Sequence, residues 1–325
     1  MQTLHQLQDA FESYLSRQRF PDNPSNLYEP IRYVLGMGGK RFRPVLLLMA
    51  CEAFDTPYER ALPAALAIEI FHNFTLVHDD IMDNAPLRRG KPTVHEQFGL
   101  NPAILSGDVM LVYAYHYLLQ CQGIDGFEEA IQQFTRTAID ICEGQQMDMD
   151  FEQRQDVSVE EYLKMIELKT AVLVGASLKM GALLGGAQAD QAENLYEFGR
   201  NLGIAFQLQD DLLDAFGDPA LFGKKTGGDI LQNKKTFLYL KALSLAAPGA
   251  RNELLNWYSS TSFDENEKVT AVKRLFENLQ IPSQTEELKN TYFEKAMAHL
   301  SRINSANPMI GELHQFALML MLRNK

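Results

Sequence analysis

Cysteine is scarce in this 325-residue chain: only Cys51, Cys121 and Cys142 occur, with no C-x-x-C spacing. An odd number so placed argues against a disulfide framework and a thiolate metal site, and points to a reducing compartment, the cytoplasm. Basic residues are a minority, 30 Lys and Arg against 42 Asp and Glu, for a formal net charge of -12. That balance disfavours nucleic acid or an anionic membrane surface as partner. Any site for an anionic ligand must be locally basic, or metal-loaded, against the global field. No uninterrupted apolar span of membrane length is expected. The most membrane-like stretch, Thr170 to Ala187, is broken by Lys179 and rich in small residues, so it reads as a buried helix. Met1 to His5 lack the basic-then-apolar pattern of a secretory leader. Sustained strand alternation and Asn-Gly hairpin signals are missing too.

What is present reads as helix almost throughout. Pro44, Pro63 and Pro102 each open an apolar-periodic run, in the first-turn position that proline tolerates. Ser158-x-x-Glu161 is a capping box before a long helix, and Asp190-x-x-Glu193 and Ser283-x-x-Glu286 look like further starts. Asp264 precedes an amphipathic stretch with Val269, Val272, Leu275 and Phe276 on its apolar positions, and Pro308 begins the last helix. Loops are expected at residues 20–30, 84–100, 217–233 and 247–263, where Gly, Pro and polar residues gather. Length alone suggests two domains.

One pattern is written twice. Asp79-Asp80-Ile81-Met82-Asp83 returns as Asp210-Asp211-Leu212-Leu213-Asp214, each after a long apolar run. On a helix the first and fifth positions stack one turn apart, so Asp79 and Asp83, like Asp210 and Asp214, share a face. Crowded carboxylates beside apolar surface need a cation between them. Mg²⁺, held by one or two carboxylates and completed by water and phosphate oxygens, suits the spacing. Gly38-Gly39-Lys40-Arg41-Phe42-Arg43 precedes the first copy and permits a tight basic turn at a helix start. Arg88-Arg89-Gly90-Lys91 follows the first copy, and Lys224, Lys225, Lys234 and Lys235 follow the second around Thr226-Gly227-Gly228-Asp229. Aspartates holding metal, metal bridging phosphate, and Lys and Arg on the remaining oxygens would explain the pairing. If both copies serve one site, residues 1–325 form a single helical domain, not two.

The segments GGKRFRP, LVHDDIMDNAPLRRGKPT, GQQMD, LKT and FQLQDDLLDAFGD…GKKTGGD…NKKT, in this order over residues 38 to 236, resemble trans-isoprenyl diphosphate synthases of the polyprenyl synthetase family. The resemblance implies an all-α isoprenoid synthase fold, one large helical bundle around a central apolar cavity, and a homodimer. It implies head-to-tail (1′-4) condensation of isopentenyl diphosphate with an allylic diphosphate (dimethylallyl, geranyl or farnesyl), with three Mg²⁺ ions per active site. Carried over residue by residue, Lys40, Arg43, His72 and Arg89, with Gly39 in their turn, would hold isopentenyl diphosphate. Arg88, Lys169, Lys224 and Lys234 would hold the allylic diphosphate. Asp79, Asp83 and Asp210 would be the chief Mg²⁺ ligands, supported by Asp80, Asp211 and Asp214. Thr170 and Gln207 would face the developing allylic cation, and Gln145 and Asp148 would lie near the metal cluster. The chemistry calls for such residues: diphosphate departure builds charge on oxygen, and an allylic cation needs a closed apolar pocket.

Taken singly, His72 would be a core histidine, Thr170 a helix residue bonding its own backbone, and Gln207 a polar helix contact. A terpene cyclase shares the ionisation chemistry, but typically carries an Asn/Ser/Glu-type second motif and lacks the basic turn for a second diphosphate. A metal phosphohydrolase could use His72, His78 and Asp79, but leaves the duplicated motif unexplained. Product length should be set on the first motif's helix. Phe74 lies roughly 7.5 Å and Phe71 roughly 12 Å along the axis from Asp79, where both rings can floor a growing chain. Thr75 stands where animal-type farnesyl synthases carry an aromatic, Phe74 where long-chain enzymes carry a small residue, and the first motif has no two-residue insertion. The combination resembles archaeal-type geranylgeranyl synthases and favours a C20 product over C15.

Overall fold

The computed structural model describes residues 3–217 and 226–322, and these are all-α apart from one small hairpin. Lys224, Lys225 and the tail Arg323-Asn324-Lys325 lie outside the described residues.

The chain divides into two compact units. Unit 1 comprises Met1–Thr135, Ala176–Tyr196 and Ile303–Leu313. Its axis is α4 (Leu62–Met82), with Pro63 in the first turn. An apolar surface all round makes this a buried helix, and it packs along α3 (Phe42–Glu52) and α6 (Leu100–Leu118). Glu69 breaks the apolar run, yet it is only 2% exposed. Arg41 accounts for it, donating through Nη1 to Glu69 Oε1 at 2.5 Å, through Nε to Glu12 at 2.9 Å and through Nη2 to the Leu35 carbonyl at 2.7 Å. A buried carboxylate kept without that partner would cost several kcal/mol.

Unit 2 comprises Arg136–Gly175, Glu197–Arg302 and His314–Lys325. The Ser158 capping box forms as expected, its hydroxyl accepting from Glu161 N and the Glu161 carboxylate from Ser158 N. It starts α8 (Val159–Ile166), which runs through a π-helical turn, Glu167–Ala171, into α9 (Val172–Leu184). Asp264 caps the helix Glu265–Asn278 through Glu267 N.

Several expectations need correction. Ser283 does not start a helix: Ile281–Leu300 begins two residues earlier with proline in its first turn, and Ser283 Oγ donates to the Gln280 carbonyl. The loop expected at 20–30 is helical from Ser25, and most of 247–263 is the helix Pro248–Ser259. Local polarity misled there, because half-buried surface helices tolerate it. Residues 84–100 hold a two-residue hairpin, Leu87–Arg88 with Lys91–Pro92, and the short helix α5 (Val94–Phe98). Among the described residues the helical stretch long and apolar enough to cross a membrane is Tyr58–Met82, not the 170–187 stretch, and 67% of its most apolar window is buried within the chain. On the Glu265–Asn278 helix, Lys268 occupies a core position with Val272, Leu275 and Phe276.

Candidate active site

Both aspartate motifs sit at helix C-termini. Asp79 and Asp80 are in the last turn of α4, and Asp83 is its C-cap, its N–H donating to the Asp79 carbonyl at 2.8 Å. Asp210, Asp211 and Asp214 close α10 (Ala189–Phe216). A helix C-terminus carries partial negative charge, so clustered carboxylates there are disfavoured twice over, by the dipole and by each other. A divalent cation relieves both, and this donor set fits Mg²⁺. Among the described residues no three His, Cys, Asp or Glu side chains are arranged to hold a metal by themselves.

In unit 1 the first motif adjoins a basic group. Gly38, Gly39 and Arg41 all have positive φ (77°, 147° and 51°), and the turn they make delivers Arg43 into the first turn of α3. A Cβ on Gly39 would stand 2.9–3.1 Å from the Arg89 guanidinium, so only glycine lets Arg89 lie on this turn. Arg89 donates to the Gly38 carbonyl. Arg43 Nη1 lies 3.3 Å from His72 Nε2. Burial holds the His72 pKa well below the usual histidine range, and Arg43, Arg89, Arg88 and Arg41 push it further down. His72 is therefore neutral at pH 7, able to accept from Arg43 or donate to an anion. The Arg43 guanidinium is itself depressed, by burial first, with Glu69 opposing and Arg89 adding to the fall. Lys40 sits exposed on the same turn, its ammonium 5.7 Å from the Phe42 ring centroid. Of the four arginines, Arg41 is ion-paired with Glu12 and Glu69 and Arg88 with Asp80, which leaves Arg43 and Arg89 without a carboxylate partner among the described residues.

Arg88 is committed elsewhere in unit 1. Its Nε donates to both Asp80 oxygens at 2.8 and 2.9 Å, and its Nη2 lies 2.6 Å from Asp80 Oδ1 and 3.6 Å from Asp79 Oδ2. Asp80 is 3% exposed, so the motif's middle aspartate is held as an ion pair. Upstream on α4, His78, Phe74 and Phe71 make successive ring contacts at 4.9 and 5.6 Å, and Phe71 meets Phe134 of the helix Phe127–Gln153 at 5.2 Å. Thr75 turns its hydroxyl back to the His72 carbonyl at 2.8 Å.

In unit 2 the π turn presents Lys169 and Thr170. A π turn inserts one residue into a helix and re-aims its side chains, and such turns are frequent at functional sites. Two glycines bring neighbouring helices onto it. A Cβ on Gly144 of α7 (Phe127–Gln153) would stand 2.4 Å from Lys169 N, and one on Gly203 of α10 would stand 2.7 Å from Ala171 Cα. The close approach of α7 sets Asp148 Oδ2 2.5 Å from Lys169 Nζ. One turn before Asp148, Gln145 Nε2 is buried with no hydrogen-bond partner among the described residues.

Asp211 is 5% exposed and accepts from Tyr162 Oη and from Gln207 Nε2, the latter at 3.1 Å. Burial, then the charge of Asp229, raise its pKa to about 7 against those two bonds. Asp229 is raised to about 6 by burial and by Asp214, with Lys234 opposing. Its N–H donates to Asp214 Oδ2 at 3.0 Å, and Gly227 N donates to the Asp214 carbonyl at 2.6 Å. Asp148, Asp210, Asp211, Asp214 and Asp229 thus act on one another electrostatically, a carboxylate group wanting a cation.

Sequence reasoning assigned no role to Asp229, Tyr162, Arg41 or Glu69. Asp229 had a signal, a lone acid in the basic glycine loop. Glu69 had one too, a charge within an apolar helix. Tyr162 had none, because its partner is 49 residues away.

The family model for polyprenyl synthetase matches residues 24–277 of this chain. A geranylgeranyl diphosphate synthase of Sulfolobus acidocaldarius is 36% identical over 99% of this chain and 96% of its own. A geranylfarnesyl diphosphate synthase of Natronomonas pharaonis is 41% identical over 70% of this chain and 72% of its own. A crystal structure of a geranylgeranyl pyrophosphate synthase superposes over the whole of both chains with a TM-score of 0.94 at 45% identity.

Proposed function

Because this chain belongs to the polyprenyl synthetase family, an enzyme family of trans-prenyltransferases, we propose that it condenses isopentenyl diphosphate with an allylic diphosphate to give geranylgeranyl diphosphate. The observation that carries this reading is Arg43 and Arg89 set about a neutral His72, cations without a carboxylate partner among the described residues, in an acidic chain beside an aspartate motif. In the reaction the allylic C1–O bond breaks and its electron pair leaves with diphosphate. The π electrons of isopentenyl diphosphate form the new bond from its C4 to the allylic C1, and a C2 proton passes to a departing diphosphate oxygen.

Lys40, Arg43, His72 and Arg89 bind isopentenyl diphosphate, the neutral imidazole donating where a fifth cation would be repelled. Arg88, Lys169, Lys224 and Lys234 bind the allylic diphosphate. Asp79, Asp83 and Asp210 would be the chief holders of Mg²⁺, with Asp80, Asp211 and Asp214 supporting; the ions supply charge neutralisation for the leaving group. With Arg88 on it, Asp80 acts by aiming that arginine. Asp148 holds Lys169 in place, and Gln145 offers a buried donor beside it. Thr170 and Gln207 turn oxygen dipoles toward the allylic carbon as positive charge develops there. Chromatography of products from Mg²⁺, isopentenyl diphosphate and farnesyl diphosphate tests the reading. A C20 diphosphate is expected; a cyclic hydrocarbon or free phosphate would refute it.

The buried rings of Phe74 and Phe71 support the C20 length. The Natronomonas relative is named for a product one isoprene unit longer. Phe74→Ala should move products to C25 or beyond with Phe71 as the next barrier. An active Phe74→Ala enzyme with an unchanged product distribution would show that Phe74 is not the floor.

The reading extends to assembly and location. One functional domain, a homodimer and a cytoplasmic setting go with it. Leu100, Ile104 and Val112 recur on one exposed face of α6, 53%, 40% and 66% exposed, apolar surface of the kind a second copy buries. Light scattering at micromolar concentration should give the mass of two chains.

A further inference from the structure

Lys268 is a lysine where helix spacing calls for an apolar residue. Its side chain is completely buried. The ammonium lies 4.0 Å from the Phe263 ring centroid and 5.6 Å from that of Tyr258. Its single hydrogen bond among the described residues goes to Asn233 Oδ1, at 2.5 Å, and no carboxylate among them pairs with it. Burying an ammonium without a counter-charge costs several kcal/mol. Aromatic faces return only part of that. For stability alone, an apolar side chain would serve this position better.

The acceptor shows what the lysine does. Asn233 has a φ of 57°, in the left-handed region that asparagine tolerates. It closes the short helix Gly228–Leu231, with its N–H on the Ile230 carbonyl at 3.2 Å. The next residue, Lys234, donates its N–H to the Asp229 carbonyl at 2.9 Å, and Asp229 N in turn donates to Asp214 Oδ2. The residue after that, Lys235, donates to the carbonyls of Phe151, Glu152 and Arg154, around the C-terminal end of α7. Lys234 therefore has an anchored neighbour on each side, and its charge acts on Asp229.

We propose that Lys268 is a positioning residue which, through Asn233, fixes the backbone that aims Lys234 at the allylic diphosphate and holds Asp229 beside Asp214. This rests on the prenyltransferase reading above. Lys268 touches no substrate; it sets where a lysine that meets the diphosphate is held.

Lys268→Met, in the full-length chain, removes the charge and keeps the length. Its thermal midpoint should equal or exceed that of the wild type, because a buried charge is replaced by apolar volume. The KM for the allylic diphosphate, and the Kd of inorganic pyrophosphate with Mg²⁺ by calorimetry, should each rise about ten-fold, while the KM for isopentenyl diphosphate stays within about two-fold. Asn233→Ala should show the same split, and Asn233→Asp, which keeps an acceptor for the ammonium, should restore wild-type values. Unchanged KM and Kd in Lys268→Met would overturn the proposal. So would a fall in midpoint with activity tracking only the folded fraction, or an equal rise in both KM values. If Lys268→Met fails to fold, Asn233→Ala decides alone by the same readouts. A wild type that makes no product from the two substrates would instead refute the functional reading, whatever the variants do.

Discussion

Asp80 and Asp211 occupy the same place in the same five-residue motif, and both are buried, at 3% and 5% exposure. Asp80 is met by the Arg88 guanidinium on both oxygens. Asp211 is met by two neutral donors, Tyr162 and Gln207, and by the charges of Asp229 and Asp210. Burial raises both carboxyl pKa values, but at Asp80 the arginine opposes the rise, whereas at Asp211 the value reaches about 7. The motif fixes the spacing of three carboxylates on a helix end. What surrounds them decides their charge, and that comes from residues the motif does not contain. The first copy is paired with an arginine, and the second lies among further acids.

The comparison breaks most visibly if one copy is dispensable. Asp79→Ala and Asp210→Ala should each lower kcat by about three orders of magnitude or more, since metal-assisted departure of diphosphate is worth several kcal/mol. Folding should be little changed, because removing one member of a crowded acidic group relieves repulsion. Steady-state kinetics at saturating Mg²⁺ provide the check. Near-normal turnover by either variant would mean that the copies do not serve one reaction.

The cations around the two copies should divide by substrate. Arg43→Ala should raise the KM for isopentenyl diphosphate, and Lys234→Ala that for the allylic diphosphate, each by about 1.5–3 kcal/mol for a lost charge-assisted contact. The Arg43 effect should be accompanied by a rise in the His72 pKa, readable by NMR, because a cation 3.3 Å from the imidazole is gone. Equal effects of both substitutions on both substrates would contradict the division.

Much of this architecture is legible in the sequence where its cause is local. The Ser158 and Asp264 caps and the apolar run of α4 follow from spacing over a few residues. The repeated aspartate spacing is legible for the same reason. Pairing is harder to read. His72 and Arg43 are grouped by family resemblance, and the structure places them in contact across 29 residues. Lys169 and Asp148 carry separate expectations and are ion-paired. Arg41 with Glu69, Tyr162 with Asp211 and Lys268 with Asn233 join residues 28 to 49 apart. Each is a buried polar group whose partner only the fold supplies, so the single residue looks anomalous or ordinary until the pair is seen. The π turn at Glu167–Ala171 is equally silent, because glycines on α7 and α10, not its own residues, permit the close packing around it.

The smallest effect is also the most direct contrast, because it should differ in sign between the two copies. Asp211 has an ordinary carboxyl pKa of 3.8 when unfolded and about 7 when folded. Between those values the folded state holds a proton that the unfolded state has released. Stability without metal should therefore fall as pH rises from about 4 to 7, and level off above. Asp211→Asn cannot ionise, so in EDTA its thermal midpoint at pH 8 should lie about 2–4 °C above the wild type, with a shallower slope between pH 5 and 8. Asp80→Asn should do the opposite. It leaves the Arg88 guanidinium without its carboxylate, a loss of about 1–3 kcal/mol. Thermal melts of both variants across pH 5–8 compare the copies side by side. If both substitutions lower the midpoint equally at pH 8, the two aspartates are held in the same way, and neutral donors at Asp211 compensate burial as well as a guanidinium does.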